Sequence, residues 1–245
     1  MITTNIRIAG LNIRLEHKYD MIKKMCSDYI ISDEQPVDIY STATDSDLLR
    51  EKDALSDFPP EQLEPLSLYR KIAEKMPEFN GLLMHGAVIE YKGQAIAFLA
   101  HSGVGKSTHI SLWHKLLGEE CKIINGDKPI LRKNGEGFTA YGTPWCGKER
   151  WGRNASAPLV AICFIERNAE NSIEPMDKAE ALTPFLSQIY IPTEKIENRL
   201  LGFDLLDSLI NNTPIYKLRC NKNPDAAEVA FKGIFGEDEY NKISK

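Results

Sequence analysis

The chain of 245 residues lacks a long apolar run, a surplus of basic side chains and any paired arrangement of cysteines, and each absence removes a class of protein. No stretch approaches the ~20 consecutive apolar residues of a membrane helix, so no spanning segment and no membrane partner is expected. Lys and Arg number 30 against 35 Asp and Glu, a net charge of −5. That balance argues against a general nucleic-acid binder, which needs surplus cations to displace counterions. The five cysteines, Cys26, Cys121, Cys146, Cys163 and Cys220, are scattered, with no C-x-x-C pair and no metal-ligand spacing. They read as reduced thiols of a cytoplasmic protein. The first eight residues carry no basic region followed by an apolar core, so nothing there marks the chain for export. What remains is ordinary for a globular protein, 42% hydrophobic and 27% charged, without internal repeats. The length suits one large α/β domain, or a catalytic domain with a small N-terminal extension.

The most informative stretch is 95–109, Ala-Ile-Ala-Phe-Leu-Ala-His-Ser-Gly-Val-Gly-Lys-Ser-Thr-His. Ile96, Phe98 and Leu99 supply a buried strand, Gly103 and Gly105 permit backbone torsions closed to other residues, and helical apolar spacing follows. A triphosphate needs several N–H donors converging on one point, and a tight loop feeding a helix N-terminus provides them with the positive end of the helix dipole. This is the frame of a P-loop over Ser102, Gly103, Val104, Gly105, Lys106, Ser107 and Thr108. Lys106 reaches the β- and γ-phosphates in such a loop and the Ser107 hydroxyl ligates Mg²⁺. Ala100 replaces the first glycine of G-x-x-x-x-G-K-[ST], so this position is expected to keep φ below zero.

Elsewhere, alternation predicts a hairpin over residues 1–16, and spacing predicts helices over 18–30 and Leu63–Met76. Between them come a short strand at Val37–Tyr40 and a polar loop over 42–60 with a helical turn near Ser46–Glu51. Residues 1–80 read as a small α+β subdomain packed on a core of 81–245. In that core, Gly81–Tyr91 and Gln94–Ala100 read as a hairpin, the post-loop helix runs to about Leu117, and Cys121–Ile124 is a strand ending at Asn125-Gly126-Asp127-Lys128-Pro129. Ile130–Lys133 and Phe138–Tyr141 flank Asn134-Gly135 in another hairpin. Leu159–Glu166 is an apolar strand; helices at Lys178–Gln188, Thr193–Leu209 and Pro224–Phe235 then alternate with strands near Ser172–Met176 and Pro214–Cys220.

Phosphoryl transfer needs a positioned nucleotide, a metal and an oriented acceptor. Asp127 follows a short strand, where a second metal ligand or a base belongs, although Asn-Gly-Asp is also good turn chemistry. His85 lies in an apolar run, as a core residue or an active-site group. His101 faces phosphate or solvent; His109 and His114, five apart, lie on different helix faces and make no metal pair. The segment 142–154 is too punctuated by glycine and proline for a helix or strand, and its Trp145, Lys148, Glu149, Arg150, Trp151 and Arg153 make it a candidate substrate-facing loop. Arg132, Lys148, Arg150 and Arg153 are candidate phosphate or acceptor clamps.

Three features together, His85-Gly86-Ala87-Val88-Ile89, then Ser102-Gly103-Val104-Gly105-Lys106-Ser107, then a strand ending in Asp127 before Pro-Ile-Leu-Arg, resemble the HPr kinase/phosphorylase family. That family shares its nucleotide-binding core with phosphoenolpyruvate carboxykinase. The resemblance covers residues 82–133 best and implies an α/β fold with a P-loop-containing mixed sheet, an active-site histidine at His85, and a metal-binding or catalytic carboxylate at Asp127. The family's acidic motif has two adjacent aspartates where this chain has one, which leaves the Asp127 role open between metal ligand and base and makes Glu149 the candidate for the other. The 142–149 loop lacks the family's arginine-bearing signature and looks more like divergent HPr-kinase-like proteins found beside peptide-modification genes. The resemblance therefore implies an ATP- and Mg²⁺-dependent kinase acting on a hydroxyl of a peptide, protein or small molecule other than HPr, with His85, Lys106, Asp127 and Glu149 catalytic and self-association possible. Two alternatives stand beside it: a nucleotide-binding regulatory module without catalysis, and a small-molecule carboxykinase.

Overall fold

The computed structural model describes residues 1–32, 35–54 and 58–243. Strands β1 (Ile2–Ile8) and β2 (Leu11–His17) pair antiparallel. Ala9 and Gly10, with φ of 52° and 76°, give the turn the two positive φ values of a tight hairpin. Ile6, Ile8, Leu11, Ile13 and Leu15 all point inward, as period-two alternation requires. After the short helix α1 (Met21–Met25), β3 (Ile39–Thr42) joins the hairpin in parallel to β2. Helix α2 (Asp45–Ala54) and helix α3 (Pro60–Lys75) follow, and α3 lies against β3. The apolar cluster under this sheet runs from Ile6 and Ile39 through Leu68, Ile72 and Met76 into Leu83, Ile130 and Trp145.

The second sheet is large and mixed. Its strands are β4 (Gly81–Met84), β5 (Ala87–Tyr91), β6 (Gln94–Leu99), β7 (Lys122–Asn125), β8 (Ile130–Asn134), β9 (Gly137–Tyr141), β10 (Ser156–Arg167), β11 (Ser172–Pro175), β12 (Ile189–Tyr190) and β13 (Ile215–Cys220). The main path runs β12-β4-β8-β9-β10-β6-β5-β7, with β13 beside the far end of β10 and β11 beside β13. Twelve-residue β10 joins the halves: its start pairs with β9 antiparallel, and its remainder runs parallel to β6 and to β13. β6 is central and buried on both faces. Ala95, Ala97 and Leu99 enter one apolar cluster with Phe185, Leu206 and Leu209 from the helices α5 (Lys178–Leu186) and α6 (Ile196–Asn212). Ile96 and Phe98 face the other way, onto Ile110 and Trp113 of α4 (Lys106–Leu117) and Phe231 of α7 (Asp225–Phe235). Helix α8 (Glu237–Ile243) follows and packs on α7. Among the described residues no helix is long and apolar enough to cross a membrane.

The α/β class and the large mixed sheet agree with the sequence reading; several elements differ. The single strand expected over Gly81–Tyr91 is two, β4 and β5, which break at His85-Gly86 and pair with different neighbours. The helix expected over 18–30 is one turn of α-helix and one of 3₁₀; Ile22, Cys26 and Tyr29 face inward as its spacing requires, but the chain then leaves the helix to pair Ile30 with Ile6. The polar 42–60 stretch holds ten-residue α2, whose Asp47 caps Thr44 and pairs with Arg70 and Lys71; polar partners rather than an apolar stripe support it. The end of that stretch at 55–57 lies outside the described residues. β12 and α8 were not anticipated, being short and weakly patterned.

A Cβ on Gly142 would fall 1.8 Å from the Arg153 carbonyl oxygen and 2.8 Å from that of Ile124, both backbone atoms that cannot swing aside. Gly142→Ala is expected to lower unfolding free energy by about 2–4 kcal/mol in urea titrations. Gly137→Ala, with open space around it, serves as a near-neutral control.

Candidate functional site

β6 ends at Leu99 and the chain turns through 100–105 into α4. Gly103 and Gly105 have φ of 79° and 127°, torsions in which a side chain is strained, whereas Ala100 is not among the positive-φ residues. The α4 N-terminus carries no side-chain cap. The first helical hydrogen bond is His109 N–H to Gly105 O, and the amides before it, from Gly105 to Thr108, have no partner among the described residues. Unpaired amides and the dipole both favour an anion here. Arg167, at the end of parallel β10, holds the loop from outside: its Nε donates to Val104 O at 2.9 Å and its Nη2 to Gly103 O.

Lys106 opens α4 and folds back across the loop, its Nζ donating to Ala100 O at 2.7 Å and lying 3.5 Å from His85 Nε2. His85 reaches this point because the chain leaves one half of the sheet for the other at His85-Gly86. There the His85 amide donates to Gln188 O at 2.6 Å and the Gly86 amide to Asp127 O at 2.8 Å. The second bond brings Asp127 alongside, with Oδ1 3.4 Å from His85 Nε2 and Oδ2 accepting from Lys128 Nζ. A neutral imidazole serves only one neighbour through Nε2: protonated, it donates to Asp127, and unprotonated, it accepts from Lys106.

Asp127 is aimed by buried Asn125, whose Oδ1 accepts from the Asp127 and Lys128 amides at 2.8 and 2.7 Å. Asn125 Nδ2 donates to Thr143 O and Oγ1, both at 3.1 Å. Burial alone would push the Asp127 carboxyl up, but the hydrogen bond to His85 and the Lys128 charge outweigh it and hold the group near 2. Burial likewise pushes the Lys106 ammonium down, offset by Asp127 and reinforced by Lys128.

The 142–154 loop divides in function. Trp145 is buried, stacks on Tyr69 with ring centroids 4.2 Å apart, and donates to Pro65 O at 2.8 Å, so it is a core anchor and not a ligand surface. Trp151 is half-buried against the α4 side. The tip between them faces the site: a Cβ on Gly147 would stand 3.1 Å from Asp127 Cβ, and Glu149 Oε1 accepts from Ser107 Oγ at 3.4 Å. Lys148 is fully solvent-facing.

His85, Lys106, Ser107, Asp127 and Glu149 thus meet at one mouth, while Ser102 and His101 are exposed on the loop. Two candidate clamps do not belong: Arg132 donates to Phe79 O and Ala9 O, and Arg153 to Ile123 O and Glu90, each tying backbone together away from the site. Lys128, Arg167 and Asn125 were missed by sequence reasoning. The signal available for Arg167 was its place at the end of a strand that could run parallel to β6.

Fold and site define an α/β protein whose polar groups converge on a strand–loop–helix turn at the end of a central strand. The chain matches the family described as SynChlorMet cassette protein ScmC over residues 57–225, and it belongs to that family. No curated protein matches. Among solved structures, it is similar to the Hpr(Ser) kinase/phosphatase from Coxiella burnetii at 9% identity, over 65% of this chain and 94% of that one, with a TM-score of 0.36. Overlap at that level carries no argument about fold or chemistry.

With its pKa below the unfolded value of ~3.9, Asp127 adds stability that is fully present above pH ~4 and is lost as pH falls through about 2. Lys128→Met is expected to raise the Asp127 midpoint, moving that loss to higher pH. Carboxyl carbon NMR titration measures it, and an unchanged midpoint would show that the ion pair does not act in solution.

Proposed function

We propose that the chain is a phosphotransferase that binds a Mg²⁺-nucleoside triphosphate such as ATP and passes the γ-phosphoryl group to a hydroxyl of a peptide, protein or small-molecule acceptor. One observation carries the reading. Three elements that share no local sequence, the β4–β5 break, the α4 N-terminus and the end of β7, deliver an imidazole, an ammonium beside open amides, and a carboxylate to one mouth.

The donor set fits the groups this chemistry requires. The loop amides and Lys106 would cradle phosphate oxygens. Ser107, Asp127 and Glu149 would hold Mg²⁺, which usually takes one or two carboxylates and leaves other positions to phosphate and water. Bound there, the ion would supply charge neutralisation between the phosphates. Lys106 stabilises charge on the transferring group, and Asp127 or His85 orients the acceptor hydroxyl and takes its proton. Held near 2, the Asp127 carboxyl is ionised at neutral pH and available to a cation or as an orienting acceptor of a hydroxyl hydrogen bond, while its low pKa makes it a weak base.

A second reading, a nucleotide-binding regulatory module, draws on one observation. Both Asp127 oxygens already face cations or donors, and among the described residues no three His, Cys, Asp or Glu gather as a metal cluster. Purified protein with γ-labelled nucleotide and Mg²⁺ separates the two. Transfer, or slow release of phosphate to water, is expected, and Lys106→Ala and Asp127→Ala should each reduce it roughly a hundredfold or more. Tight binding without any turnover would favour the module.

A further inference from the structure

On the far side of the loop from His85 lies a cavity of about 220 Å³. Its floor is buried and partly apolar, formed by Ile165, Cys220 and His109, while Asn168 and Lys222 stand exposed at the rim. Val104, Gly105 and Thr108 close it on the loop side, so it opens next to the unpaired amides of α4. The size suits one flat heterocycle, below the roughly 300–1,000 Å³ of sites that engulf a whole ligand.

Most side-chain polar groups of the cavity present donors. His109 is 2% exposed, and its Nε2 sits 3.0 Å from the Trp113 indole nitrogen, which can only donate. Nε2 must therefore be unprotonated, and the proton is on Nδ1. Burial pushes this imidazole down to about 4, so it stays neutral. The partner of Nδ1 is the Cys220 sulfur at 3.9 Å, a poor acceptor. Asn168 spends its Oδ1 on the Glu170 amide, which turns its Nδ2 into the free end. Lys222 adds an ammonium. Several acceptors already hold a donor: Asn221 Oδ1 takes Asn171 Nδ2 and the Asn223 amide, Val104 O takes Arg167, Gly105 O takes the His109 amide and Cys220 O the Asn168 amide, while the Thr108 hydroxyl on the loop side can donate or accept. Among the described residues no carboxylate lines the cavity.

A purine edge that satisfies donors without needing acceptors is that of guanine, whose N7 and O6 both accept; adenine pairs its N7 acceptor with an amino donor, which in the same pose would stand against these donors. We infer that this cavity seats the base of the nucleotide and prefers guanine to adenine, through His109 Nδ1, Asn168 Nδ2 and Lys222. The inference rests on the loop holding the phosphates of the same nucleotide, since Thr108 borders both. The apolar floor argues for a ring over a small anion, which would be left against Ile165 and Cys220 without hydration.

The test is protein-observed NMR, following the amides of 104–109 and 165–168 with four ligands: GDP and ADP with Mg²⁺, and phosphate-free guanosine and adenosine. GDP is expected to bind about tenfold or more tightly than ADP, with guanosine shifting the same resonances more than adenosine does. Asn168→Asp, an exposed change that exchanges a donor for an acceptor, should bring the GDP-to-ADP ratio toward one or invert it. Equal or tighter ADP binding overturns the inference and leaves the phosphotransferase reading standing. A guanosine preference with no gain from the phosphates sinks the phosphate loop and keeps the base site. Inorganic phosphate that shifts the cavity resonances as guanosine does, or no binding by any of the four, overturns it.

Discussion

The main-chain bond from the Gly86 amide to Asp127 O, with its neighbour from the His85 amide to Gln188 O, is the constraint on which the site depends. At this dipeptide the chain stops pairing with β8 and starts pairing with β6 and β7. Successive amides of an extended chain point to opposite sides, so here one fastens the chain entering β12 and the next the end of β7, and His85 is placed beside Lys106 and Asp127. Helix α4, packed through Ile110 and Trp113 on the far face of β6, fixes the other side of the mouth.

Within that mouth the charges are arranged asymmetrically. Two ammonium groups, Lys106 and Lys128, flank one carboxylate and one imidazole, and a second carboxylate, Glu149, arrives from a loop tip anchored by Trp145. Burial works against the charges of Asp127 and Lys106, and removing a partner leaves a buried charge to the full penalty. Asp127 shows the balance, with burial raising and His85 and Lys128 lowering its affinity for protons, and the lowering dominant.

Local chemistry made part of this readable in advance. The run from Ala95 to His109 carries its own instructions: an apolar strand, two glycines at torsions only glycine tolerates, and helical spacing afterwards, all within one short window. The hairpins around Ala9-Gly10 and Asn134-Gly135 are likewise set by adjacent residues. His85 is a different case. Spacing leaves it either in the core or at a site, and only the resemblance inclined it toward the latter. Asp127 sits at the end of a strand as anticipated, yet its partner Lys128 went unnoticed because adjacent opposite charges are common on turns. In the 142–154 loop, composition marks something unusual without separating the buried anchor Trp145 from the site-facing Glu149.

What the residues alone determined is the class, the order of most strands and helices, and one loop with its lysine and serine, because each follows from periodicity or torsional preference within a few positions. Tertiary structure decided the rest: that Gly81–Tyr91 divides between two pairings, that Arg167 from a strand 60 residues on grips the loop carbonyls, and that Arg132 and Arg153 turn to backbone instead of a ligand. Those outcomes depend on which strands lie side by side. Register between distant strands is chosen by burial summed over the entire sheet, a quantity that no short window of sequence contains.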